Sequence, residues 1–441
     1  MNDGRGHDSS GLDPTRRRLL QGLAVGSLAW WDALASAATP VSDRRVDALE
    51  VVEVRGRRPT RGAHQQYQSS PSHAWGPPAE YHEPAEAPLR EAPASAVYVK
   101  LRTKGGLEAL YGPIEHEQVP VLVRDLAPFL AGRDPLAVGE LWDRMYRLNR
   151  HGRAGHYMMA ISAADNVLWD LRGRLLGLPV FRLLGGGRSR VPVYASCLGF
   201  SLEDGRVEEK VRALGAEGYR AQKWFLAHGP AEGREGLLKN VALVRRAREA
   251  AGDGVDLMFD AFMGWDLPYA LAWAKEAEPF RPRWIEEPFQ PDRLESFVAL
   301  REATSIPVAT GEHLYGRWEV ERYLAARAIH VVQADPEWCG GTSELVRIAT
   351  LASAHDAHVV PHGHALRAAL HVIASQSPAT CPMGECLLVK FVEREHPWYF
   401  CHFEQEPLRL ERGEVILPES PGFGIALDAS RVERQEPLRR Y

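Results

Sequence analysis

The feature that most constrains this chain is a rhythm that begins near residue 190. Short apolar stretches, "VPVYASC", "RAQKWF", "DLMFD", "PRWIEEP", "IPVATGE", "HVVQAD" and "AHVVPH", alternate with amphipathic ones such as "GLLKNVALVRRAREAAG" and "PYALAWAKEAE". Strands separated by helices pair in parallel, because each parallel connection needs a long crossover. A run this long at this spacing suits a closed (β/α) barrel better than an open sheet, which local pattern alone would not separate from it.

In such barrels the active site lies at the C-terminal ends of the strands. Here those ends read Lys223, Asp260, Glu286, Glu312, Asp335 and His362, all ionisable. Ordinary solvated loop residues would not make so uniform a set. Asp260 to Glu286 and Glu286 to Glu312 are both 26 residues, about one helix-plus-strand unit. Equal spacing predicts three carboxylates at matching heights on three successive strands. Three like charges there repel and raise one another's pKa. A hard divalent cation removes the conflict, and oxygen-only ligation favours Mg²⁺ over zinc. The competing reading is three separate acids, each paired with its own basic neighbour. "WIEEP" also holds a second acid. Side chains alternate along a strand, so Glu286 and Glu287 are expected to face opposite ways. The spacing selects Glu286 as the ligand, and Glu287 is expected on the other face, against neighbouring groups or solvent.

Asp335 and His362 lie 27 residues apart, on the next two strand ends. An aspartate beside a histidine orients the imidazole and raises its basicity, which makes His362 a candidate general base. His364 reads as a solvated or core histidine. Lys223 ends the second barrel strand, across the barrel from His362. Its ammonium could neutralise or polarise a substrate carboxylate there; a lysine that merely snorkels is the alternative.

Upstream, "VDALEVVEVRGR" (46–57) and "ASAVYVKLRTKGG" (94–106) read as strands, and 118–186 as helical, together an α+β unit. Residues 58–95 between the strands are rich in Pro, Ser, His and Gln. So long a structureless stretch is disordered or a functional loop. As a loop, its His64, Tyr67, His73, Trp75 and Tyr81 could fold over the barrel mouth. "NRHGRAGH" (149–156) offers Arg153 or His156 to a substrate. Residues 1–40 carry the cluster Arg16 to Arg18, an apolar run from Gly22 to Trp31, and Ala35-Ser36-Ala37. The apolar run is too short to span a bilayer. The segment resembles a twin-arginine export signal, which predicts a periplasmic or exported protein, with a disordered basic tail as the alternative. A net charge of −5 gives no basic excess for nucleic acid or a membrane surface. Five scattered cysteines make no disulfide framework, and no C-x-x-C pair suggests structural zinc.

Taken together, the order Lys223, Asp260, Glu286, Glu312, Asp335, His362 resembles the enolase superfamily, in particular its mandelate racemase-like branch. "WIEEP", "GEH" (311–313), the Asp-x-x-x-x-Gly-Gly of "DPEWCGG" and "PGFGIALD" (421–428) carry the resemblance, which covers roughly 46–430. It implies an α/β fold: a modified (β/α)7β TIM-like barrel (189–386), an N-terminal α+β capping domain (41–188), and a C-terminal segment (387–441) returning to the cap. It implies Mg²⁺ on Asp260, Glu286 and Glu312, a base dyad of His362 with Asp335, and Lys223 on the substrate carboxylate. Glu385 in "PMGECL" resembles the family's additional acid that hydrogen-bonds this carboxylate, at a slightly longer offset from His362. Homo-oligomers are common in the family. One departure matters. The family's racemases carry Lys-x-Lys on the second barrel strand, whereas this chain reads Lys223-Trp224-Phe225. Phenylalanine takes no proton, so one-sided abstraction by His362 is expected.

The implied chemistry removes the proton α to a carboxylate and gives an ene-diolate. Groups that bind this charge more tightly in the transition state than in the ground state lower the barrier. Loss of a β-hydroxyl as water then yields a 2-keto-3-deoxy acid. The expected function is an acid-sugar dehydratase, and "QKWFLAHGPAEGREGLLKNV" (222–241) resembles the rhamnonate dehydratase-like members. A cycloisomerase of a sugar lactone or anhydro-sugar acid is the first alternative, a racemase or epimerase the next. A non-catalytic binding protein would have lost a ligand or the dyad, and none is missing.

Overall fold

The computed structural model describes residues 43–60, 90–198, 200, 202, 205–363, 367–389, 401–405 and 408–438. The expected export signal, His364, and the loop residues His64, Tyr67, His73, Trp75 and Tyr81 lie outside the described residues.

Strands β1 (Val46–Thr60), β2 (Arg90–Thr103) and β3 (Glu108–Ile114) pair antiparallel in that order. The third strand escapes a pattern search because Gly112 and Pro113 interrupt it, and both residues are poor strand formers. The helix Gly155–Leu176 packs on this sheet. Most of its residues are buried on every side, as expected for a helix clamped between a sheet and a second domain. Gly177, at φ 67°, ends it in the left-handed conformation that glycine adopts without a Cβ clash.

Eight parallel strands follow: β4 (Arg190–Leu198), β5 (Ala221–Phe225), β6 (Asp256–Asp260), β7 (Trp284–Glu286), β8 (Val308–Thr310), β9 (Val331–Val332), β10 (His358–Val359) and β11 (Gly384–Val389). Each neighbours the next from β4 to β10, and β11 pairs with β4. Between β10 and β11, the Val359 N–H donates to the Thr380 carbonyl at 2.8 Å. The interior shows closure directly. Tyr194, Ala221, Met258, Trp284, Ala309, Val331, Val360 and Met383 form one buried cluster, with one residue from the line of each strand. Among the described residues, seven α-helices, from Arg206–Ala216 to Arg367–Ser375, fill the crossovers, giving the expected (β/α)7β order.

After the barrel, β12 (Arg409–Glu411) and β13 (Glu414–Ile416) form a hairpin whose second strand adds antiparallel to β4. The chain then returns to the first sheet, where β14 (Val432–Pro437) pairs with β1. Phe403, Phe423 and Ile425 are buried in the core beneath that sheet. Burying each such side chain contributes roughly 1.5–3 kcal/mol, so this tail helps hold cap and barrel together. All five cysteines are free and buried, as small apolar core residues.

Candidate active site

Two residues up each strand from the apolar interior layer, the alternation of side chains brings the next inward positions. They are Ser196, Lys223, Asp260, Glu286, Gly311, Gln333, His362 and Glu385. The apolar floor therefore carries a layer that is polar at every position with a side chain. Six of the seven sequence-predicted site residues are on this layer or beside it: Lys223 within β5, Asp260 and Glu286 at the ends of β6 and β7, Glu385 in β11, and Glu312 and His362 on loops past β8 and β10. The seventh, Asp335, stands on the loop after β9. Strands β8, β9 and β10 end earlier than the sequence pattern suggests; Gly311 follows β8 directly and Pro361 stands two residues past β10.

Equal spacing does not translate into equal height. Asp260 and Glu286 are direct register partners, but the β8 partner of Glu286 is Ala309, three residues before Glu312. Barrel strands are staggered, so a constant sequence offset drifts along the axis. Lys223 occupies the centre. Its Nζ lies 2.5 Å from Glu286 Oε1, 3.0 Å from Glu385 Oε1 and 3.3 Å from Asp260 Oδ2, with the side chain only 2% exposed. The lysine thus neutralises the acids themselves. Trp284 Nε1 donates to the other oxygen of Glu286 at 3.0 Å, and the Gly363 N–H donates to Glu385 Oε2 at 2.9 Å. A Cβ on Gly363 would come within 2.6 Å of the Glu385 backbone, so only glycine permits this contact.

Glu287 departs from the expected alternation. It is 1% exposed, its φ is 40°, and its carboxylate accepts from Thr310 Oγ1 at 3.2 Å and lies 3.1 Å from His313 Nδ1. The left-handed backbone turns it back toward the mouth. Phe262 and Met263 on the neighbouring loop share that conformation, and the Met263 N–H donates to the Glu287 carbonyl at 2.6 Å. Among the described residues, ligating atoms of Glu287, Glu312 and His313 lie within 4.8 Å of one another, while Asp260 and Glu286 gather around Lys223. Glu287 and His313 are the site groups that sequence reasoning missed. The His in "GEH" was the available signal; the backbone reversal at Glu287 had none.

The dyad is formed. His362 Nδ1 lies 2.7 Å from Asp335 Oδ2, and Nε2 lies 3.9 Å from Glu312 Oε2. The Trp338 indole stacks on the His362 ring at 4.9 Å and 28°. Burial alone would lower the histidine's pKa, but Glu312, Asp335 and Glu385 together hold it well above the usual range. Burial pushes Asp260 up to about 6, Glu312 to about 7 and Glu286 to about 8, only partly offset by Lys223 or His362. Glu385 is the exception: burial would raise it, yet Lys223 and His362 prevail and hold it at about 2. This acid cluster is short of positive charge. An oxygen-rich, under-compensated set suits a hard divalent cation.

Above the dyad a cavity of about 400 Å³ lies between cap and barrel, lined by Glu115, Gly155, His156, Met159, His313, Tyr315 and Trp338. Of the two cap residues singled out in the sequence, His156 lines it, whereas Arg153 sits over the Tyr146 ring at 5.7 Å. Gln333, 0% exposed in the polar layer, has both amide atoms unpaired. An unpaired buried polar group costs about 1–3 kcal/mol, which a ligand's polar groups would relieve.

Residues 206–431 match the family model described as enolase C-terminal domain-like, and 83–185 match the mandelate racemase / muconate lactonizing enzyme N-terminal domain. An L-rhamnonate dehydratase of Saccharopolyspora erythraea is 35% identical over 322 residues, 72% of this chain and 78% of that protein. The crystal structure of rhamnonate dehydratase from Gibberella zeae complexed with Mg superposes with a TM-score of 0.75 at 25% identity, over 89% of this chain and 96% of that one. The 3,6-anhydro-D-galactonate cycloisomerase of Zobellia galactanivorans gives a TM-score of 0.68 at 25% identity, over 88% and 100%. By fold, motif order and sequence, the chain belongs to the mandelate racemase / muconate lactonizing enzyme family of enolase-like proteins.

Proposed function

We propose that the chain is a Mg²⁺-dependent acid-sugar dehydratase, a hydro-lyase that converts a sugar acid to a 2-keto-3-deoxy acid. The observation that carries this reading is the Asp335–His362 pair at 2.7 Å, beside a buried cluster of acids short of positive charge. Asp260, Glu286 and Glu312 would hold the cation. When bound, it supplies Lewis-acid stabilisation of the charge that develops on the substrate carboxylate. His362 Nε2 takes the α-proton, and Asp335 keeps the opposite ring nitrogen protonated and stabilises the imidazolium. Protonated His362 then delivers a proton to the departing β-hydroxyl. Lys223 would meet the substrate carboxylate, and Glu385, ionised beside it, would hold the ammonium in place. Phe225, 4% exposed and close to Lys223, leaves no second base at the position where racemases carry one, which favours elimination over racemisation.

L-Rhamnonate is the first substrate to test, because relatives carry that name. The expected result with Mg²⁺ is a product lighter by one water, with the α-keto carbon and the adjacent methylene visible by NMR. An isomer of unchanged mass would instead support the cycloisomerase reading. If no mono- or diacid sugar exchanges its α-proton in D₂O, the enzymatic reading fails.

A pH dependence of metal binding follows from the raised carboxyls. The cation binds the ionised forms, so protons compete with it wherever the pKa lies above the ambient pH. With Asp260 near 6, Glu312 near 7 and Glu286 near 8, Mg²⁺ affinity should rise steeply between pH 6 and pH 8. Calorimetric titration at both pH values checks this; equal affinities would show that the acids are already ionised.

A further inference from the structure

We propose that Tyr111 of the cap and Glu337 of the barrel form a latch that positions Asp335, and through it His362. The inference rests on the reading of His362 as the base. Tyr111 lies in β3, 0% exposed, and its hydroxyl donates to Glu337 Oε1 across the junction between cap and barrel. The Glu337 N–H donates to Asp335 Oδ1 at 2.7 Å, which leaves Oδ2 for His362 Nδ1 at 2.7 Å. The Asp335 carbonyl accepts from the N–H groups of Trp338 at 2.9 Å and Cys339 at 2.7 Å, so residues 335–339 form one tight turn. The cap touches this turn a second time, where the Trp338 side chain hydrogen-bonds Glu115. Trp338 is the residue stacked on the base.

This arrangement matters because the last torsion of an aspartate is broad and has no strong preference of its own. The plane of the Asp335 carboxylate is therefore set by its partners. Backbone donation from Glu337 holds one oxygen and so aims the other at the imidazole. Tyr111 anchors the Glu337 side chain, while Asn166 Nδ2 of the long cap helix donates to the Pro336 carbonyl at 3.0 Å, so the cap restrains this backbone from both sides of Asp335's partner. The titratable groups facing Glu337 are Tyr111 and Glu115 from the cap, Asp335 from its own loop and Cys401 from the C-terminal segment. Burial and the neighbouring Asp335 push the Glu337 carboxyl well up. Docking of the cap thereby orients the base, in addition to walling the substrate cavity. Nothing in the sequence motif signals this, because the two residues are 226 positions apart.

Tyr111→Phe and Glu337→Ala test the latch in the full chain, with Glu337→Gln as the conservative variant, since an amide can still accept from the tyrosine. Two readouts are compared: kcat and KM with L-rhamnonate and Mg²⁺, and the downfield Nδ1 proton resonance of His362 by NMR, identified by its loss in His362→Asn. Tyr111→Phe and Glu337→Ala should each lower kcat about 10- to 100-fold, as removal of orienting partners does at metal sites, with KM little changed. Both should shift or broaden the resonance, Glu337→Gln should retain both properties, and the double variant should be no worse than the worse single one. Wild-type kcat and an unmoved resonance in Tyr111→Phe would overturn the latch, as would additive losses in the double variant. The resonance is read without substrate. If the wild type turns over no acid sugar, the function reading fails while the latch is still decided.

Discussion

His362→Asn is expected to lower turnover about 10²- to 10⁴-fold, the range that a positioned general acid–base group contributes. Asparagine fills similar space but cannot accept and return a proton, so binding should persist while the chemistry stops. α-Proton exchange in D₂O should disappear together with product, because both need the same abstraction. Asp335→Asn should come close to the same loss by a different route. Its amide would donate to Nδ1, leaving the proton on Nε2, so the nitrogen that must accept is blocked. The surrounding acids also explain why the base depends on its neighbours. Glu312, Asp335 and Glu385 hold the imidazole protonated well beyond its usual range. Once Glu312 is neutralised by a ligand, that pull weakens and Nε2 becomes able to accept. Equal turnover by wild type and His362→Asn would remove the dyad from the reaction.

Lys223→Met should give the largest loss of stability in the metal-free protein. The change keeps the length of the stem but leaves Glu286, Glu385 and Asp260 without their shared ammonium. Removing one partner of a buried charge cluster typically costs about 3–5 kcal/mol. The pH dependence has a definite sign. Against burial, Glu385 is held at about 2 chiefly by Lys223, and without the ammonium burial raises its folded-state value. A carboxyl whose pKa is higher folded than unfolded binds more protons in the native state, so stability falls as pH rises between the two values. The wild-type lysine, held well above its usual pKa by these acids, is charged throughout that window. The deficit of Lys223→Met should therefore be smaller at pH 5 than at pH 8. Adding Mg²⁺ should recover part of it at pH 8, since a ligand that binds only the native state stabilises it by mass action. Thermal melts at the two pH values, with and without Mg²⁺, measure this. A deficit independent of both pH and metal would mean that the lysine contributes packing alone.

The barrel rhythm was legible because strand and helix periodicities are local properties, readable one segment at a time. So were the order of ionisable residues at the strand ends and Phe225 in place of a second lysine, because covalent spacing alone puts them at one end of a barrel. Matching heights for all three acids did not follow, since stagger between strands is a property of closure and not of sequence offset. Glu287 could not be read either. Its left-handed backbone is held by hydrogen bonds from a neighbouring loop that is itself left-handed at Phe262 and Met263, so the reversal exists only when both loops are assembled. The same holds for Lys223, whose ammonium is shared among Glu286, Glu385 and Asp260 from three other strands. The sequence by itself thus determined which chemical groups stand at the mouth of the barrel. Tertiary structure alone decided which of them face each other, because electrostatic pairing, backbone reversal and the Tyr111–Glu337 contact all join segments distant in the chain.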